Sequence, residues 1–134
     1  MEGSVIELSQ YRLLKAKEVL RDAELMFENE SFASAVNRAY YALFHCLRAV
    51  TDLDSYDSSK HSGIISFFNK TYVKTGVFDK EVSKILDKSF RIREKADYDD
   101  FIVITEQMAE EQIVNTRRVL QIIEPYLTAR WNKL

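Results

Sequence analysis

Apolar positions recur every three or four residues along most of the chain, and that spacing predicts helices. A first helix is expected over about residues 6–29, where Leu13, Leu14, Ala16, Val19, Leu20, Ala23, Leu25, Met26 and Phe27 fall between charged positions. Asn29-Glu30-Ser31 interrupts it, with Ser31 placed to N-cap a second helix. The break is short, so the two helices should be antiparallel neighbours. The second helix is expected from Phe32 to about Thr51, and its residues sort into three stripes. Phe32, Val36, Tyr40, Leu43, Leu47 and Val50 form a large apolar stripe that should face the core. Ala35, Ala39, Ala42, Cys46 and Ala49 form a stripe of small residues that lets another helix come close. Arg38, Tyr41, His45 and Arg48 form the third, which is polar yet lacks the Glu and Lys of an idle solvent face.

Asp52 to Lys60 is polar and rich in turn formers, hence a loop. A third helix is expected over about 61–75, with Gly76 as a left-handed C-cap. Asp79 should cap a fourth helix that runs to about Lys95, with Val82, Ile85, Leu86 and Phe90 inward. Arg91, Arg93 and Lys95 in its last turns suit the negative end of the helix dipole. Ala96 to Asp100 then reads as an acidic link, and a fifth helix as Phe101 to about Ala129, kinked or ended early by Pro125.

Composition sharpens this to an all-α fold. With 134 residues, one domain spanning 1–134 is expected, large enough to bury a core without staples. Three glycines and one proline are too few for a turn-rich sandwich or an α/β protein. The formal net charge of -2 means that any nucleic-acid binding must come from a local patch. A single cysteine, Cys46, excludes an internal disulfide framework and fits a reducing compartment. No apolar run approaches a membrane span and no secretory leader pattern is visible, so a cytoplasmic location without a membrane partner is expected.

The chemistry concentrates on the third stripe of the second helix. Arg38 and His45 lie seven residues apart. At 100° per residue they return to within about 20° of one another, about 10 Å along the axis. They share a face, with room for a phosphodiester between their tips. One reading gives Arg38 a phosphate oxygen to hold and His45 a proton to move. The other makes Arg38 a salt-bridge partner and His45 a packing-edge residue. Tyr40 belongs to the core stripe, with its hydroxyl finding a local partner, whereas Tyr41 lies beside Arg38, where it could pack at an interface or stack on a base. His61, after Lys60, opens the third helix, where an anion could bind or the residue could simply cap. Asp97, Asp99 and Asp100 could hold a divalent cation or merely complement a helix N-terminus. His45 and Cys46 point about 100° apart and make no zinc site. No phosphate loop, Ser-His-Asp arrangement or dinucleotide fingerprint is present, so ATPase and dehydrogenase chemistry have no support. Arg117, Arg118, Arg130 and Trp131 read as surface and end-packing residues.

Three segments, SFASAVNRAYYALFHCLRAV, KHSGIISFFNKTYVKTG and REKADYDD, together resemble the HEPN superfamily, and more narrowly its small stand-alone members. The resemblance covers roughly residues 8–127. It implies an up-and-down helical bundle, usually a homodimer, and in many members a metal-independent endoribonuclease without cofactors. The family signature is an arginine, four to six residues, then a histidine, which Arg38 and His45 match with a gap of six. In active members two copies of the signature line one cleft across a two-fold axis. Asn37, Tyr41, Arg48 and His61 are the further candidates for the substrate or dimer cleft. The resemblance also implies a toxin role beside a minimal nucleotidyltransferase. The alternative is a non-catalytic subunit that binds nucleotide or RNA. Three departures from the pattern are visible: Ala39 follows the arginine where a polar residue is common, the signature lies in the second helix, and Leu47 stands where some toxins carry a tyrosine.

Overall fold

The computed structural model describes residues 2–134, with side chains from Ser4 onward. The expected domain begins at Met1, which lies outside the described residues. The described residues form five α-helices: α1 Glu2–Glu28, α2 Phe32–Leu53, α3 His61–Phe68, α4 Lys80–Tyr98 and α5 Glu106–Lys133. Among the described residues there is no strand, and the architecture is the all-α bundle expected. No helix among them is long and apolar enough to cross a membrane.

The break between α1 and α2 is tight, but Ser31 does not cap with its side chain. The backbone closes the turn instead. Glu30 takes a left-handed φ of 60°, its N–H donates to the Phe27 carbonyl (3.0 Å), and the Ser31 N–H reaches the Met26 carbonyl (2.9 Å). That is a Schellman closure of α1. Asp79 caps α4 as expected, its carboxylate accepting from the Glu81 N–H at 2.8 Å. Gly76 has a φ of 84°, in the region where a Cβ would be strained.

Several boundaries differ from the expectation: α1 starts at Glu2 rather than about residue 6, and Asp52 and Leu53 belong to α2 rather than to the loop. The third helix is cut at Phe68 by a π-helical turn, Asn69–Val73, which carries Tyr72 into the core. The fourth runs on to Tyr98, so Ala96 and Asp97 are helical rather than a link. The fifth begins only after Thr105, whose hydroxyl accepts from the Met108 N–H at 3.2 Å. The β-branched run Ile102-Val103-Ile104-Thr105 disfavours helix and stays outside it, with Ile104 buried. Pro125 neither ends nor shortens α5, because it sits on an exposed face inside a helix whose other side is locked in the core.

The three stripes of α2 are realised. Val36, Tyr40, Leu43, Leu47 and Val50 are buried, and so is every member of the small stripe. The small stripe lets neighbours reach the α2 backbone itself. Thr116 of α5 donates to the Ala39 carbonyl (3.2 Å), and Ser9 of α1 donates to the Ala49 carbonyl (2.6 Å). Trp131, near the end of α5, donates to Ser9 Oγ (2.9 Å) and ties that end of the chain to the same place. Arg130 grips Asp54 with two nitrogens (3.0 and 3.1 Å), and Tyr72 donates to the same carboxylate. Arg117 and Arg118 pair at the surface with Glu24 and Glu81. On α1, Leu13, Ala16, Val19, Leu20 and Ala23 are buried, whereas Leu14, Leu25 and Met26 face outward.

Replacing Ala39 by Leu forces a branched side chain between α2 and α5 and is expected to destabilise the fold by about 1–3 kcal/mol or more. Ala33→Leu, on an exposed turn of the same helix, is expected to change stability by no more than about 0.5 kcal/mol. Chemical denaturation of the two variants checks the contrast, and equal midpoints would count against close packing on the small stripe.

Candidate functional site

The third face of α2 forms one wall of a cleft, and α1 forms the other. Its lining comprises Lys15, Val19 and Asp22 of α1 with Asn37, Arg38, Tyr41 and His45 of α2, around a volume of about 360 Å³. Arg38 and His45 therefore open into the same space. Both are half-buried, as is Tyr41, and the Arg38 guanidinium lies 5.5 Å from the Tyr41 ring centre.

Asn37 holds Arg38 in place. Its Oδ1 accepts from Arg38 Nε (3.1 Å) and Nη2 (2.6 Å). Its Nδ2 donates to both oxygens of Asp97, at 3.2 and 3.1 Å. A carboxylate only accepts and a guanidinium only donates, so the amide can face in one sense alone. Asp97 in turn pairs with Arg93 at 3.5 Å. Arg93 is 7% exposed, with its guanidinium 4.6 Å from the centre of the Tyr40 ring. A cation under that ring gains from its quadrupole in a site shielded from water. Arg93 and Asp97 are thus not idle complements of a helix end. They anchor the arginine of the signature from below.

His61 is likewise more than a cap. Its Nδ1 shares a 2.9 Å hydrogen bond with the Tyr40 hydroxyl. Its ring packs 3.9 Å from Phe44 and 5.7 Å from Tyr41, centre to centre. It stands behind Tyr41 rather than lining the cleft. Burial and the Arg93 and Arg48 charges lower its pKa. Burial pushes the Tyr40 hydroxyl up to about 12 against the pull of Arg93, so it stays protonated. Arg48 does not line the cleft; it pairs with Asp57 at 2.7 Å, and its buried Nε has no partner. Cys46 is fully buried, its thiol pushed up by that burial.

The electrostatics of His45 stand apart. Its pKa is lowered to about 4, first by burial and then by the charges of Arg12, Arg48 and Lys15. The imidazole is therefore neutral at physiological pH and able to accept a proton. Arg12 is paired with the buried Asp52 at 3.2 Å, and burial raises the Asp52 pKa against the pull of Arg12 and Arg48. Arg12 and Arg48 act on His45 although each is paired with a carboxylate, and Lys15 and Arg38 line the cleft with it, opposite the single acid Asp22. Sequence reasoning missed the α1 contribution. Arg12, Lys15 and Asp22 are spaced by three and seven, one helical face, and that spacing was the available signal.

An arginine and a histidine two turns apart, on a central helix and opening to one cleft, now have a family to be set against. The HEPN domain matches residues 9–126, and the chain belongs to the HEPN family. It is 36% identical to a UPF0332 protein of Thermotoga maritima over 118 residues, covering 88% of this chain and 89% of that protein. It is 30% identical to a candidate toxin of Methanocaldococcus jannaschii over 135 residues, covering 97% of this chain and 92% of the relative. A second candidate toxin of that organism is 39% identical over 83 residues, 62% of each chain.

The His45 ring protons are expected to titrate by NMR with a midpoint of about 4, and Arg12→Gln is expected to raise that midpoint by removing a repelling charge. A midpoint near the unperturbed value of about 6.5 would show that the ring is solvated and that the burial argument is wrong.

Proposed function

We propose that the protein is a metal-independent endoribonuclease acting as the toxin-like half of a pair with a minimal nucleotidyltransferase. The observation that carries the reading is the shared cleft of Arg38 and His45. The two relatives named as candidate toxins support the role, and one of them aligns along nearly the whole chain.

In this reading the scissile phosphate rests against Arg38. Asn37 occupies the Nε edge of the guanidinium, which leaves the Nη1 hydrogens and one Nη2 hydrogen free for phosphate oxygens. Neutral His45 takes the proton of the ribose 2′-hydroxyl, and the 2′-oxygen attacks phosphorus. Arg38 stabilises the charge that builds on the five-coordinate phosphorane. The bond to the 5′-oxygen then breaks and that oxygen takes up a proton, giving a 2′,3′-cyclic phosphate and a 5′-hydroxyl. Two copies of the chain divide the proton transfers, one His45 as base and the other as acid. The bound phosphate raises the pKa of the acid form toward neutrality, because an adjacent anion favours the charged imidazole.

RNA cleavage is expected to persist with chelator present and to fall by about a hundredfold or more in Arg38→Ala and in His45→Ala. Wild type cutting no faster than the double variant would end the nuclease reading. kcat/KM reports the free enzyme and is expected to be bell-shaped, centred at about pH 4, falling on the acid side as the base His45 gains its proton and on the alkaline side as the acid His45 loses its own. The acid limb of kcat should lie higher, since the substrate phosphate raises that pKa.

The dimer draws support from the outer face of α1 next to the cleft, where Leu8, Tyr11 and Leu14 are 41%, 60% and 57% exposed. Sedimentation is expected to give a two-chain particle for wild type and a single chain for Tyr11→Glu, with cleavage lost alongside. A monomeric wild type that still cleaves would remove the two-fold division of labour.

A further inference from the structure

Resting on the reading of Arg38 as the phosphate-holding group, we propose that the groove on its other side is a nucleobase subsite, with guanine as its preferred base. This second groove, about 670 Å³, is lined by Asp22, Met26, Ala33, Ser34, Ala96 and Asp97, and it shares Asp22, Asn37 and Arg38 with the cleft that holds His45. The two spaces meet at Arg38. Each internal phosphate of an RNA strand joins two nucleosides, so a phosphate held there directs one nucleoside into each space.

The second groove suits a flat ring. Ala33 and Ala96 contribute only methyl groups, and Met26 offers a polarisable thioether that lies well against an aromatic face. Its polar groups are mostly acceptors. The Asn37 amide is committed at both ends, to Arg38 and to Asp97. Asp22 is exposed, and the Asp97 side chain remains 25% exposed although Asn37 and Arg93 hold it. Two carboxylates and the Ser34 hydroxyl therefore face an incoming base. Arg38 and Arg93 offset the repulsion between those carboxylates and the phosphate.

Acceptors select for donors. Guanine presents N1–H and the N2 amino group side by side, a match for the two oxygens of one carboxylate. Adenine and cytosine each present one amino group beside an unprotonated ring nitrogen. Uracil presents a single N–H between two carbonyl oxygens, which would face the carboxylates. A bidentate match of this kind discriminates between bases by about tenfold or more.

Calorimetric titration of the wild-type protein with GMP, UMP and inorganic phosphate tests this. GMP is expected to bind at least about tenfold more tightly than UMP. Asp22→Asn should narrow that ratio. Ala33→Leu should abolish the advantage of GMP by filling the groove while leaving phosphate binding in place, with its melting temperature as the control for folding. Equal binding of the two nucleotides, no measurable binding of GMP, or a GMP preference untouched by both variants overturns the subsite. RNA cleavage is a separate readout. Cleavage without GMP selectivity removes the subsite and keeps the nuclease, whereas GMP selectivity without cleavage does the reverse.

Discussion

The close seating of α1 and α5 against the small stripe of α2 is the constraint on which the rest of the molecule depends. Alanine and cysteine side chains are short enough that hydroxyls on neighbouring helices reach carbonyls of the α2 backbone, Thr116 to Ala39 and Ser9 to Ala49. Such contacts require the helix axes to lie near the lower end of the usual separation. They also fix the rotation of α2 about its own axis. With the small stripe and the large apolar stripe both committed to the core, one face remains for everything polar on that helix, and Arg38, Tyr41 and His45 have nowhere else to point.

That face is not simply open to water. Val19 of α1 forms part of its boundary, and α4 supplies Arg93 and Asp97 beneath Asn37. A buried arginine needs partners, and Arg93 has the Asp97 carboxylate and a set of aromatic rings of which Tyr40 is nearest, although its Nε stays without a hydrogen bond. The ion pair makes Asp97 a fixed acceptor, the fixed acceptor orients the Asn37 amide, and the amide orients Arg38. Burial at one end of this chain is thereby converted into a defined direction for a guanidinium at the other. A long flexible side chain held in this way loses less freedom when it binds an anion.

The periodic parts of this arrangement were legible in the sequence. The three stripes of α2, the Asp79 cap and the left-handed Gly76 follow from local rules that need only neighbours in the chain. The pairing of Arg38 with His45 followed from helical spacing, and the structure places both on one cleft. What escaped was non-local. Asn37 meets Asp97 across 60 positions, and nothing in the ADYDD segment distinguishes an aspartate that reaches another helix from one that complements a dipole. His61 looked like a helix opening because its position at the start of α3 is local, whereas its hydrogen bond to Tyr40 depends on how α3 folds back over α2. The late start of α5 was a different kind of miss. The β-branched run before Thr105 was present in the sequence, but an apolar pattern of helical period masked it.

The burial that builds the cleft also sets the protonation state of His45. A histidine on an open helix face would be partly protonated near neutrality and would meet a phosphate as a second cation. Here desolvation and the charges of Arg12, Arg48 and Lys15 remove that proton, so in the proposed nuclease the ring would meet its substrate as a base, with the cations near it supplying the attraction. A phosphate bound in the cleft would offset part of the repulsion from those cations, so the cost of protonating His45 would fall once the anion is in place. On that proposal attraction and proton transfer fall to different side chains, and the substrate's own charge would make the switch between base and acid. A deeper burial of the ring would close it off from any ligand in the cleft, and a shallower one would return its pKa toward the range where a large share of the molecules is already protonated. The half-buried position of His45 between α1 and α2 lies between these limits, and the helix spacing fixed by the alanine stripe holds it there.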